Sequence, residues 1–221
     1  MTHAKRVLIA DDHPLTREGL ALAVRASLPG LTVDQAGSIG EAEAAIANRH
    51  DSFALVLLDF MLPDARGFSG FLRLQHLLGG TPIVIVSARQ DAMLVDAAKA
   101  LGAAGYFFKS RSIDDIARRL KDIVAGGVDF PAQPAAGPAG QDVGSARDKI
   151  ATLSSAQLKV MLALADGRLN KQIASDLDIT EATVKAHLTA IFRKLGVNNR
   201  TQALLAMQPL MGDAGTEATA G

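Results

Sequence analysis

The sequence predicts an α/β domain on a five-stranded, doubly wound parallel sheet, followed by a small all-α domain of four helices with a helix-turn-helix. Three observations lead there. Short apolar runs alternate with helix-period stretches as far as about residue 125. A stretch with Pro131, Pro134, Pro138 and interspersed glycines follows and reads as a flexible linker over 126–149. From 150 to 211 only helical periods remain, and 212–221 is a short Ala/Gly-rich tail expected to be disordered.

The strands are expected at Arg6–Ala10, Leu31–Ala36, Ala54–Leu58, Ile83–Val86 and Gly105–Phe108, each rich in Val, Ile, Leu or Phe. Leu8, Ile9, Val56, Leu57, Val84 and Ile85 are the expected sheet core. Helices are expected at Leu15–Ser27, Ile39–Arg49, Gly67–Leu78, Ala92–Leu101 and Ile113–Val124. Ser38 with Glu41, and Ser112 with Asp115, have capping-box spacing. Strands alternating with helices give a parallel sheet covered on both faces, whose ligands sit at the carboxyl ends of the strands. In the second domain Ser154, Asn170 and Thr180 are expected N-caps for Ser155–Ala165, Lys171–Leu177 and Glu181–Leu195, with a last helix at Arg200–Met211. A short helix, a turn at Asp178–Ile179 and a longer helix have the proportions of a helix-turn-helix.

Composition excludes several classes. With no cysteine there is no disulfide, thiolate zinc site, iron–sulfur cluster or cysteine nucleophile. No apolar run approaches the roughly 18 residues of a membrane span, and Met1–Ala10 has no signal-peptide core, so a cytoplasmic protein without membrane contact is expected. The 23 basic and 23 acidic side chains cancel, but the stretch 182–211 holds Lys185, Arg193, Lys194 and Arg200 without an acid.

Five polar residues fall at strand ends. Asp11 and Asp12 follow the first strand, Asp59 the third, Ser87 the fourth and Lys109 the fifth. Carboxylates gathered this way repel one another, so a cation is expected among them. Oxygen ligands without His or Cys point to Mg²⁺. Mg²⁺ and Lys109 would face a phosphoryl group, Ser87 would donate its hydroxyl, and Asp59 would be the carboxylate nucleophile that forms an aspartyl phosphate.

These residues carry a resemblance. Val7-Leu-Ile-Ala-Asp-Asp-His-Pro, Leu57-Leu-Asp-Phe-Met-Leu-Pro-Asp, Ile85-Val-Ser-Ala and Gly102-Ala-Ala-Gly-Tyr-Phe-Phe-Lys-Ser resemble a CheY-like receiver of two-component response regulators, a flavodoxin-like fold, placed at 1–125. The resemblance implies Asp59 as phospho-acceptor and Asp11, Asp12, Asp59 and the Met61 carbonyl as Mg²⁺ ligands. It further implies Ser87 and Lys109 as phosphoryl-binding groups and Tyr106 as the switch aromatic. Arg66 and Ser110 depart from the pattern, which often has an acid or amide and a proline there.

Helix Glu181–Leu195 carries Lys185, His187, Thr189, Arg193 and Lys194, with Val184, Leu188, Ile191 and Leu195 as its buried stripe. A small, basic outer face is what a major groove admits. The runs Asn170-Lys-Gln-Ile-Ala-Ser-Asp-Leu-Asp-Ile-Thr-Glu-Ala-Thr-Val-Lys-Ala-His-Leu and Ile191-Phe-Arg-Lys-Leu-Gly-Val-Asn-Asn-Arg-Thr-Gln-Ala resemble the LuxR-type helix-turn-helix of NarL/FixJ response regulators, placed at 150–211. That resemblance implies that Lys185, Ala186 and Thr189 face base edges and that Asn170, Lys171, Thr183 and His187 lie toward the DNA backbone; Arg193 and Lys194 are expected to bind DNA of any sequence alike. It makes Arg200–Met211 a dimerisation helix. The usual opening Leu-Thr-x-Arg-Glu-x-Glu is here Leu153-Ser-Ser-Ala-Gln-Leu-Lys159.

Together the resemblances imply a transcriptional regulator. A sensor histidine kinase phosphorylates Asp59, and phosphorylation controls homodimerisation and sequence-specific binding to double-stranded promoter DNA, with RNA polymerase a candidate further partner. Beyond its own phosphoryl transfer and slow dephosphorylation the chain is not expected to be an enzyme: it has no Gly-x4-Gly-Lys loop and no second acid two residues after Asp59. The alternative is a phosphorylation-independent DNA binder whose receiver serves only as a dimerisation scaffold.

Overall fold

A computed structural model describes residues 6–48, 53–132 and 148–211. The expected tail, residues 133–147 of the expected linker and Arg49 at the end of the second expected helix lie outside the described residues. The elements run β1 (Arg6–Ala10), α1 (Pro14–Ser27), β2 (Thr32–Ala36), α2 (Ile39–Ala47), β3 (Phe53–Asp59), α3 (Ser69–Leu78), β4 (Ile83–Ser87), α4 (Ala92–Leu101), β5 (Gly105–Phe108) and α5 (Ile113–Val124). Four helices follow: α6 (Ser155–Ala165), α7 (Asn170–Asp176), α8 (Glu181–Leu195) and α9 (Arg200–Met211). The chain forms two compact units. One holds the sheet with α1, α2, α3 and α5; the other holds α4 and the four C-terminal helices.

All strands pair in parallel in the order β2-β1-β3-β4-β5. This is the flavodoxin-like order, with its topological switch point between β1 and β3. Successive side chains on a strand point to opposite faces. Val7, Ile9, Leu55, Leu57, Val84, Val86 and Phe107 therefore share one face, buried with Leu20 and Val24 of α1 and Ile116, Leu120 and Ile123 of α5. Phe60, Phe68 and Phe71 stack edge to face, with ring centroids 5.0 and 6.4 Å apart. β3 and β4 each run to the functional residue itself, so Asp59 and Ser87 are the last residues of their strands.

Local chemistry sets the helix starts. Ser38 Oγ accepts from Glu41 N, and Ser112 Oγ from Asp115 N. The α2 N-terminus has a second cap that lies far away in sequence: Asp64 accepts from the amides of Ile39 and Gly40, both at 2.9 Å. Burial opposes ionisation of Asp64, but these amides outweigh it and hold the carboxyl below its ordinary value.

The segment after α5, expected as flexible linker, begins in order. Asp129 forms a parallel bridge to Gly105 at the free edge of β5. Its N–H donates to Ala104 O, and Tyr106 N–H donates to Asp129 O, each at 3.0 Å.

In the helical unit Leu158, Met161, Leu162, Ile173, Val184, Ile191, Leu195, Ala203 and Met207 form the core. Ser154 and Gln157 make a full capping box at α6. Between α7 and α8, Asp178 takes a left-handed conformation at φ 53°, a region that Asp tolerates better than most residues. Thr180 Oγ1 caps α8 by accepting from Thr183 N. Gly196, left-handed at φ 71°, ends α8, and Val197 N–H closes the turn onto Phe192 O.

One cap differs from expectation. Asn170 is the first helical residue of α7, and the N-cap is Leu169, which is 66% exposed and offers no side-chain acceptor. The Gln172 side chain supplies half of the missing cap by accepting from Leu169 N–H at 2.8 Å. Leu169→Ser should add the other half and stabilise the helical unit by about 0.5–2 kcal/mol, read as a rise in its urea midpoint. An unchanged midpoint would mean that α7 does not need the cap.

Candidate functional site

The register of β1 on β3 sets the site. Ala10 pairs with Leu58, so the next residues, Asp11 and Asp59, emerge side by side at the switch point. Both are buried, while Asp12 is exposed. β5 brings Lys109 over the same point, where its Nζ lies 2.6 Å from Asp59 Oδ2 and 2.9 Å from Asp11 Oδ2. Asp59 Oδ1 accepts from Met61 N–H at 3.1 Å, and Asp11 Oδ1 from His13 N–H at 2.8 Å.

Burial dominates the electrostatics of Asp59. It raises the carboxyl above its ordinary value, although the Lys109 ammonium and the Met61 amide oppose it. Burial also works against the Lys109 charge, but Asp59 and Asp11 outweigh it and hold the amine above its ordinary value.

Asp11 Oδ2 is buried and has no hydrogen-bond partner, only the nearby ammonium. Three carboxylates against one ammonium leave a formal excess of two negative charges. Single ligand atoms of Asp11, Asp12, His13 and Asp59 all lie within 4.8 Å of one another. A buried carboxylate oxygen met by an ammonium alone, within a set of hard donors, fits a divalent cation. His13 is a residue that the sequence reading passed over. Its Nδ1 lies 2.7 Å from Asp12 Oδ1, and its only sequence signal is its position directly after the acidic pair.

Ser87 ends β4, Tyr106 lies on the neighbouring β5 opposite Ile85, and both are buried. Ser87 Oγ accepts from Arg89 N–H at 3.1 Å, and Tyr106 Oη donates to Arg89 O at 3.2 Å. Burial, the largest effect, raises the tyrosine hydroxyl above its ordinary value. Met61 itself is partly exposed. Lys109 is followed by Ser110 through a trans peptide.

On the helical unit, α8 buries Val184, Ile191 and Leu195, with Leu188 half-buried. Its exposed face carries Lys185, Ala186, Thr189 and Arg193, and Thr189 Oγ1 bonds back to Lys185 O at 3.0 Å. Lys171 is exposed at the start of α7; Asn170, Thr183 and His187 are half-buried. Two of the basic residues turn inward. Lys194 Nζ donates to Thr152 O and to Gln157 Oε1, both at 2.7 Å. Arg200 donates to Leu164 O and Arg168 O at 3.2 and 3.1 Å, at the C-terminus of α6. Lys194 is thus half-buried and hydrogen-bonded within the helical unit, whereas Arg193 is exposed. The unusual Gln157 is its partner.

A parallel sheet in this order, buried carboxylates at its switch point and a helix-turn-helix on the same chain define a DNA-binding response regulator. Residues 7–121 match the response regulator receiver domain family, and 151–207 match the bacterial regulatory proteins of the luxR family. The chain belongs to the two-component response regulators of the LuxR (NarL/FixJ) type. It is 38% identical to the glycerol metabolism activator of Pseudomonas putida, covering 91% of this chain and 94% of that one. It is 33% identical to the DNA-binding transcriptional activator DevR/DosR of Mycobacterium tuberculosis, covering 90% and 91%. In fold it is similar to RcsB from Salmonella enterica serovar Typhimurium bound to promoter rprA in the presence of phosphomimetic BeF3⁻, with a TM-score of 0.53, 19% identity and coverage of 92% and 98%. These relatives are regulators of transcription. Among the described residues no helix is long and apolar enough to cross a membrane.

Lys194→Ala should destabilise the helical unit by about 1.5–3 kcal/mol through loss of charged hydrogen bonds. Arg193→Ala should stay within about 0.5 kcal/mol. Urea unfolding of both variants checks the division, and equal effects would contradict it.

Proposed function

We propose that Asp59 accepts a phosphoryl group from a sensor histidine kinase and that this modification controls promoter binding. The observation that carries the reading is the buried Asp59 carboxylate, held by Lys109 beside an Asp11 oxygen that lacks a hydrogen bond. Asp59 Oδ2 is the nucleophile, attacking phosphorus while the P–N bond of the kinase phosphohistidine, or the anhydride P–O bond of an acyl phosphate, breaks and imidazole or carboxylate leaves. Asp11, Asp12, Asp59 and the Met61 carbonyl would hold Mg²⁺, which would neutralise the gathered carboxylates and the phosphoryl oxygens. Lys109 then pairs with a phosphoryl oxygen in place of a carboxylate. Ser87 turns its hydroxyl toward another, releasing the contact to Arg89, and Tyr106 follows as the switch side chain.

The readout is DNA. Lys185, Ala186 and Thr189 read base edges in the major groove, while Asn170, Lys171, Thr183, His187 and Arg193 lie toward the phosphates. Phosphorylation favours a homodimer, with α9 in its interface, and so sets two helix-turn-helix units on promoter half-sites. Contact with RNA polymerase follows at the promoter. The reading places the protein in the cytoplasm, with the receiver and DNA-binding units as separate domains joined through 133–147. The chemistry of the chain is confined to its own phosphorylation and slow dephosphorylation.

Asp59→Asn should abolish Mg²⁺-dependent labelling by acetyl phosphate while the circular dichroism stays that of the wild type; full labelling would sink the assignment. Lys185→Ala should cost about 1–3 kcal/mol on specific DNA and little on random DNA. Equal losses on both would reduce Lys185 to a phosphate contact.

A further inference from the structure

The segment after α5 is built onto the strand that carries Tyr106 and leads to Lys109. β5 is the edge strand, and its open side is met by Asp129 through the two backbone hydrogen bonds to Ala104 and Tyr106. The approach requires glycine at 105, because a Cβ there would stand 2.7 Å from Asp129 O. The Asp129 side chain is latched as well. Both its oxygens accept from Arg119 Nη1, at 2.7 and 2.8 Å, and Oδ2 lies 3.3 Å from Arg111 Nη1. Arg111 stacks over the Phe107 ring, 5.2 Å from its centroid, and stands two residues beyond Lys109. Asp115 joins both arginines, at 3.4 Å from Arg111 and 3.1 Å from Arg119.

We infer that Asp129 is a positioning residue: it clips the chain leaving the receiver to β5, so that the state of the phosphoryl site sets whether this exit segment is held or free. The inference rests on the function proposed above. Tyr106 is bonded at both ends, its hydroxyl to Arg89 beside Ser87 and its amide to Asp129. Lys109 and Arg111 share one turn. When Ser87 and Lys109 are drawn to a phosphoryl group, Tyr106 and Arg111 shift with them, and both are supports of the clip. Edge pairing of one residue is a weak unit, of the kind that opens locally without global unfolding. The clip therefore loosens on phosphorylation. It also covers the sheet edge in the resting state, where an open β5 would invite strand pairing with another chain.

The test uses the full chain and beryllofluoride with Mg²⁺ as the phosphoryl mimic. In the wild type the amides of Tyr106 and Asp129 should exchange hydrogen about tenfold faster with the mimic than without it. Asp129→Asn should exchange fast in both states and take acetyl phosphate label at Asp59 at the wild-type rate. It should lose most of the mimic-dependent gain in affinity for a genomic fragment that the wild type selects, and Asp129→Glu should recover part of that gain. Unchanged exchange in the wild type, or a full affinity gain in Asp129→Asn, would overturn the inference. Should Asp129→Asn not fold, the wild-type exchange measurement decides alone. A wild type that takes the label but gains no DNA affinity would refute the functional reading, and the exchange rates would still decide the clip.

Discussion

Two like charges cannot be buried side by side without a counter-charge, and this constraint governs the sheet unit. Asp11 and Asp59 are brought together by the pairing of β1 with β3. The Lys109 ammonium lies between them and opposes the repulsion. Its presence depends on β5 being part of the same sheet, so the site exists only when β1, β3, β4 and β5 are in register. The cation does not complete the balance, since one ammonium faces three carboxylates. Removing one partner from such a cluster leaves an uncompensated buried charge, which is far costlier than loss of a surface pair. The folded site is therefore poised to take up positive charge.

The helical unit solves a different problem, that of a small core. α8 gives its apolar stripe to that core and leaves small and basic side chains outside. Lys194 and Arg200 tie backbone carbonyls distant in sequence, and Gln157 accepts from Lys194 as well. Charge in this region thus divides in two: Lys171, Lys185 and Arg193 remain exposed, while Lys194 and Arg200 hold the helices together.

The parts legible in the sequence are those governed by short-range pattern. The apolar runs place every strand within about two residues, and the strand ends place Asp11, Asp12, Asp59, Ser87 and Lys109 at one end of the sheet. What stayed hidden depends on partners far along the chain. Asn170 is a better cap than Leu169 by residue type, but Gln172 reaches back to the leucine amide. A lysine on a helix carries no sign of a glutamine 37 residues away, so Lys194 read as outward. Gly126 and Gly127 read as linker composition, yet the chain beyond them is ordered against Gly105, whose missing Cβ makes the room. His13 went unread because a lone histidine near a helix start has many uses.

The central claim is that charge on Asp59 controls DNA binding by the other unit. The most direct measurement is the affinity of the full chain for one genomic fragment it selects, by fluorescence anisotropy, with Mg²⁺ present and beryllofluoride added or withheld. The account predicts at least about tenfold tighter binding with the mimic, about 1.4 kcal/mol, and no change when Asp59→Asn replaces the wild type. Equal affinity in both conditions would contradict it and leave the receiver as a dimerisation scaffold.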